Sequence, residues 1–189
     1  GQIVAKLNYQ KGDQDFTAQL TELISKKPDV LSIPANFAEG AIIMRQAREL
    51  GAKFRILGGD AMDNPEIVKI GGQSVEGFSY TTFAYAPEMP NMNPTQKKFT
   101  ANWRKAYTDK DPNALAACGY DAYMLILDAI KRAKSTEPVK IAAALAATRN
   151  FPGVTGITTI NATHDAEKSI GIMQIKNGKR IFLTVVNPK

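Results

Sequence analysis

The chain has 189 residues, 44% apolar and 22% charged, with a formal net charge of +6. That composition suits one large globular domain or two small ones. It offers no run of ~18 apolar residues for a membrane span. The basic residues are scattered as Lys26-Lys27, Lys97-Lys98, Lys131-Arg132 and Lys179-Arg180, a pattern of solvated helix ends and turns rather than a nucleic-acid footprint. The one cysteine, Cys118, excludes an intrachain disulfide and a multi-cysteine zinc site, and its Ala-rich helical surroundings suit a small buried hydrophobe. Gly1 is not an initiator Met and opens no signal-peptide pattern, so the chain reads as mature, processed or cut from something longer, and its location is not read from this.

In chain order, Ile3–Leu7 reads as a short apolar strand. Phe16, Leu20, Leu23 and Ile24 mark one face of a helix that Pro28 ends. Val30–Ile33 is the next strand, and a helix over Ala38–Leu50 stops at Gly51. Phe54–Leu57 is a strand, Pro65–Ile70 a short helix, and Gly77–Phe83 a strand rich in aromatic and β-branched residues. This repeated β-α-β order predicts a parallel sheet with right-handed crossovers.

Ala86–Pro94, with three prolines and two asparagines, reads as a connector. Phe99, Trp103 and Tyr107 then form an aromatic stripe at helical spacing, which suits packing better than a ligand platform. Asp109–Pro112 breaks that helix. Helices follow over Ala114–Lys134 and Ile141–Ala147. The tail is β: Gly156–Ile160, Ile170–Lys176 and Arg180–Val186, the last two joined by the hairpin signal Asn177-Gly178. His164 falls in a turn between strands, with no nucleophile or second ligand nearby. The helices between about 94 and 150 carry apolar faces that need a sheet, yet the preceding strands already have their own helices.

Phosphate-cradling glycine motifs and a nucleophile elbow are absent, and with one His and one Cys nucleophilic triads are nearly excluded. The residues therefore point away from an enzyme, and they call for no cofactor or metal. A binding geometry remains. Ligands of open α/β sheets bind outside the carboxyl ends of the strands. One strand runs into Gly58-Gly59-Asp60, and its expected neighbour runs into Pro34-Ala35-Asn36-Phe37. Asp60 can receive an ammonium group, or it can cap the following turn. Asn36 can donate and accept, or serve a turn. Phe37 can form an apolar wall or plug a core.

Asp15–Leu20, Ala47–Gly51, Ile56–Asp60, Gly119–Ala122 and Gly153–Gly156 occur here in the order and spacing of type I periplasmic binding proteins. The chain resembles the branched-chain amino-acid (Leu/Ile/Val) receptors of ABC transporters, over its whole length but only as their C-terminal half. The resemblance implies an α/β fold: a Rossmann-like parallel sheet flanked by helices, in a receptor of two lobes joined by three crossovers. It implies that residues 1–83 belong to the C-terminal lobe, that 84–168 form a helical segment returning to an N-terminal lobe whose other parts are absent, and that 169–189 supply the final strands of the C-terminal lobe. By the same resemblance, Asp60 matches the acid that pairs with the ligand ammonium. Asn36 stands at a position that is often aromatic in the family, and Leu115 falls near one that can supply an apolar wall. The implied partners are a small amino acid, an ABC permease, and either the missing N-terminal part or a second copy in a swapped dimer. The implied location is the periplasm or the cell surface, a lipoprotein anchor included. A ligand-sensing regulatory domain of the same fold, for an amide or small carboxylate, is the alternative.

Overall fold

The computed structural model describes residues 1–108 and 110–188, so Asp109 of the expected helix break lies outside the described residues. The chain forms two compact units, Gly1–Thr81 with Met173–Ile181 and Thr82–Ile172 with Phe182–Lys189. It passes from one to the other three times, within strands.

The first unit opens with α1 (Thr17–Ser25), β1 (Val30–Ile33), α2 (Phe37–Glu49) and β2 (Arg55–Gly58). A single 3-10 turn (Asp60–Met62), α3 (Glu66–Gly71), a second 3-10 turn (Gly72–Val75) and β3 (Ser79–Phe83) follow. The helix α2 buries Ala41, Ile43, Met44 and Ala47 on one face and ends where Gly51 takes a φ of +80°. β1 pairs parallel with β2 from Val30↔Arg55 to Ile33↔Gly58, and β2 pairs parallel with β3. The sheet order is β1, β2, β3, then β7 (Ile170–Lys176) and β8 (Lys179–Val186). Asn177 and Gly178 both take positive φ in the turn joining the last two, and the Glu76 carboxylate accepts both of their amides at 2.7 and 3.2 Å.

Ile3–Leu7 departs from expectation and forms no strand. An apolar run becomes a strand only by joining a ladder, and this one holds on through side chains instead. Ala5, Leu7 and Tyr9 line a cavity of about 440 Å³ with Phe16, Leu20 and Ile33, while Ile3 stays 84% exposed.

The polar core of this unit is a triad. The Arg180 guanidinium meets Asp63 Oδ1 at 2.7 Å and donates through Nε to the Tyr80 hydroxyl at 3.1 Å, and that hydroxyl donates to Asp63 Oδ1 at 3.1 Å. The ion pair is secluded, with the two side chains 10% and 2% exposed. Burial, reinforced by the neighbouring Asp63 charge, pushes the Tyr80 phenol well above its ordinary range.

The second unit holds α4 (Pro94–Ala106), α5 (Ala114–Ala133), α6 (Pro138–Ala146), β4 (Phe151–Gly153), β5 (Gly156–Ile160) and β6 (Ala166–Lys168). β4, β5 and β6 form an antiparallel sheet. A capping box starts α4: Asn93 accepts from the Gln96 amide, and the Gln96 side chain accepts from the Asn93 amide. The Gln96 side chain also donates to the carbonyls of Ala84 and Val154, both at 3.0 Å. The aromatic stripe packs as expected of a core feature. Phe99 is buried with Tyr85, Ala117 and Val154, and Trp103 lies against them, but Tyr107 ends the helix half exposed.

Asp121 on α5 fastens this unit. Its carboxylate accepts from the amides of Val154 and Thr155, each at 2.7 Å, and from the Thr155 hydroxyl at 2.5 Å. The Lys168 ammonium donates to that same hydroxyl oxygen. Gly153 leaves room for this arrangement, since a Cβ there would lie 2.6 Å from Asp121 Oδ2.

Three outcomes follow. Asp121→Ala orphans two buried amides and lowers unfolding stability by about 3 kcal/mol, read by urea denaturation. Gly153→Ala also destabilises, and by less in the Asp121→Ala background, because the carboxylate it would strike is gone. Above pH ~10 the unfolded chain releases the Tyr80 proton while the folded chain keeps it, so stability falls as pH rises past that point. Tyr80→Phe flattens that part of the stability–pH curve, measured as denaturation midpoints across alkaline pH.

Candidate functional site

In a parallel pair both strands leave the sheet at one end. The last register pair, Ile33↔Gly58, therefore delivers Pro34-Ala35-Asn36 and Gly59-Asp60 to the same edge. Asn36 is the residue before α2, with extended backbone. Its carbonyl accepts from the Gly40 amide at 2.9 Å, while its exposed side chain makes no capping bond. Phe37 begins α2 and is half buried. Asp60 begins the 3-10 turn and is exposed.

The Asp60 carboxylate caps nothing. Gly59 precedes the 3-10 turn without a side-chain bond, and Asn64, not Asp60, accepts from the Glu66 amide at the start of α3. Among the described residues, no hydrogen bond or ion pair engages the Asp60 side chain. Its main chain, by contrast, is well held: the Asp60 carbonyl accepts from the Asp63 amide at 2.9 Å, and the Gly59 carbonyl from the Met62 amide at 3.1 Å. Met62 is fully buried and fills the space above Gly40 and Gly58, where an added Cβ would strike it. The result is an exposed carboxylate, without a partner among the described residues, on a turn held by main-chain hydrogen bonds, an arrangement suited to receiving a cation from outside.

Leu115 was also expected at the site. It stands on α5 in the second unit, 55% exposed. Among the described residues, no group of three His, Cys, Asp or Glu is placed to hold a metal ion. No described helix is long and apolar enough to cross a membrane.

Sequence reasoning missed the supports of the turn, namely Met62, Asp63, Tyr80 and Arg180. Asp63 and Arg180 stand 117 residues apart, so no local pattern joins them. The signal that was present is an Arg at the head of a strand whose next residues are apolar, a charge at the margin of an apolar run.

The family model for a periplasmic binding protein matches residues 1–180. The chain is 28% identical over 170 residues to the Leu/Ile/Val-binding protein BraC3 of Rhizobium johnstonii, covering 89% of this chain and 45% of that protein. Its structure resembles that of a leucine binding protein LivK from Thermotoga maritima, with a TM-score of 0.85 and 47% identity over 95% of this chain and 51% of the other. It also resembles the branched-chain amino acid transporter substrate binding protein LivJ from Streptococcus pneumoniae, solved with isoleucine, with a TM-score of 0.79 and 30% identity over the same shares. The chain thus spans about half the length of the relatives it matches, and by the match of nearly all its residues it belongs to the periplasmic binding protein family.

Proposed function

We propose that this chain is part of the solute-binding component of an ABC importer, and that Asp60 receives the α-ammonium of a branched-chain or related small amino acid. The observation that carries the reading is the exposed, unpaired Asp60 carboxylate at the carboxyl ends of two parallel strands. The descriptions of the relatives, a Leu/Ile/Val-binding protein, a leucine binding protein and an isoleucine complex, support the ligand class. Phe37 offers an apolar wall beside the charge, and Asn36 a free amide. The role given to Leu115 rests on the resemblance alone. In this reading the protein works in the periplasm or at the cell surface and delivers its ligand to a permease.

A second feature bears on partners. One face of α5 buries Ala114, Ala117, Asp121 and Ala129, while Leu115, Gly119, Ala122, Tyr123 and Ile126 stand exposed at helical spacing. An apolar stripe of this kind marks an interaction surface. We assign it to the half of the receptor that this chain lacks relative to its relatives, with a second copy as the competing occupant. Light scattering of the isolated chain separates the two, since a stable dimer favours the second copy.

In the receptor that carries this chain, L-leucine, L-isoleucine or L-valine raises the melting temperature, by about 2.7 kcal/mol of added stability at a hundredfold excess over Kd. Asp60→Ala abolishes that shift, consistent with a loss of about 2–5 kcal/mol when one member of an enclosed charge pair is removed. Absence of a shift with every amino acid, or a full shift in Asp60→Ala, overturns the reading.

A further inference from the structure

The turn that carries Asp60 is short, and it is followed within three residues by one of the most secluded acids in the molecule. Asp63 binds the Asp60 carbonyl through its amide at 2.9 Å, so the two residues share one hydrogen-bonded ring of main chain. The Asp63 side chain is 2% exposed and is gripped by Arg180 at 2.7 Å and by the Tyr80 hydroxyl at 3.1 Å. Arg180 in turn comes from the head of β8, directly after the Asn177-Gly178 turn that Glu76 pins. A path of chain and hydrogen bonds therefore runs from the last hairpin of the chain, through Arg180 and Asp63, to the backbone of Asp60.

We propose that Arg180 is a positioning residue for ligand binding: through Asp63 it holds the 59–63 turn in the geometry that presents the Asp60 carboxylate. A buried acid that loses a guanidinium at 2.7 Å is left with a less compensated charge. The turn would then open toward water to relieve it, and Asp60 would no longer be fixed. Met62, the last residue of the 3-10 turn, is fully buried and anchors that end of it. Nothing in this scheme requires Arg180 to touch ligand. It acts by raising the fraction of molecules in the presenting state, and a turn in that state about one-tenth of the time weakens apparent affinity about tenfold. This inference rests on Asp60 as the ammonium partner, as proposed above.

Two measurements test it. In the chain itself, Arg180→Met speeds hydrogen exchange in peptides covering residues 58–66 and leaves those from α2 unchanged. Uniform exchange across the chain, or no change at 58–66, overturns the positioning role whatever the ligand proves to be. In the receptor that carries the chain, Arg180→Met weakens L-leucine roughly tenfold by calorimetric titration, and Arg180→Lys, which keeps a cation beside Asp63, restores part of the loss. The affinity of 4-methylpentanoate, which lacks the ammonium, changes little, whereas general damage to the fold lowers both alike. Unchanged L-leucine affinity in Arg180→Met overturns the inference even where exchange at 58–66 speeds up. Failure of the unaltered receptor to bind L-leucine, L-isoleucine and L-valine strikes the ligand reading instead, and the exchange experiment still decides whether Arg180 holds the turn. Should Arg180→Met not fold, Arg180→Lys carries both measurements.

Discussion

Parallel pairing of β1 with β2 is the constraint on which the candidate site depends. Two four-residue strands held in the register Ile33↔Gly58 end together, so whatever follows each of them emerges at one edge. The register itself is set by burial. Ile33 and Ile56 are 4% and 2% exposed, and a slip of one residue would turn one of these strands over and bring its isoleucine out to water. Apolar residues on the strands thus decide where a charge beyond them is displayed. Gly58 completes the arrangement, since it has no Cβ to collide with Met62 Sδ, which would lie 2.5 Å away.

Each unit is also closed by a buried carboxylate, and the two solve the problem of a buried charge differently. Asp63 is compensated by a guanidinium 117 residues along the chain and by a phenol from the next strand, β3. Asp121 is compensated mainly by main-chain amides at the β4–β5 turn and by a threonine hydroxyl that Lys168 also engages. Both devices join segments more than a hundred or some thirty residues apart, where helix and strand propensity has no influence. Removing either partner leaves a charge or a donor stranded.

This explains what the amino-acid order disclosed. Val30–Ile33, Gly156–Ile160 and Ile170–Lys176 were legible to the residue, because apolar and β-branched runs bounded by turn residues leave little alternative. The Asn177-Gly178 turn was legible because its residues tolerate positive φ. Phe151–Gly153 and Ala166–Lys168 were not, as the first contains Pro152 and the second is Ala-Glu-Lys; each is a strand only because β5 pairs with it. Ile3–Leu7 shows the converse, a strand-like pattern without a ladder. At the site, the position of Asp60 was legible from the glycines ahead of it. The support beneath it was not, because Arg180 and Tyr80 meet Asp63 only through the fold.

An exposed carboxylate alone is a poor receptor. In open water an ion pair is worth only about 0–1 kcal/mol, too little to hold a small ligand or to tell one amino acid from another. Useful affinity requires that the charge be enclosed, with donors for the ligand carboxylate and walls for its side chain. The chain supplies a charge, Asn36 and Phe37 on one edge, and an uncovered apolar stripe on α5. It spans about half the length of its relatives. These facts fit together if recognition is divided, with this chain fixing the ammonium end and a second body enclosing the rest. The hydrogen-bonded turn under Asp60 then gains its meaning, since a carboxylate already in place when the enclosure forms spares the complex the cost of ordering it.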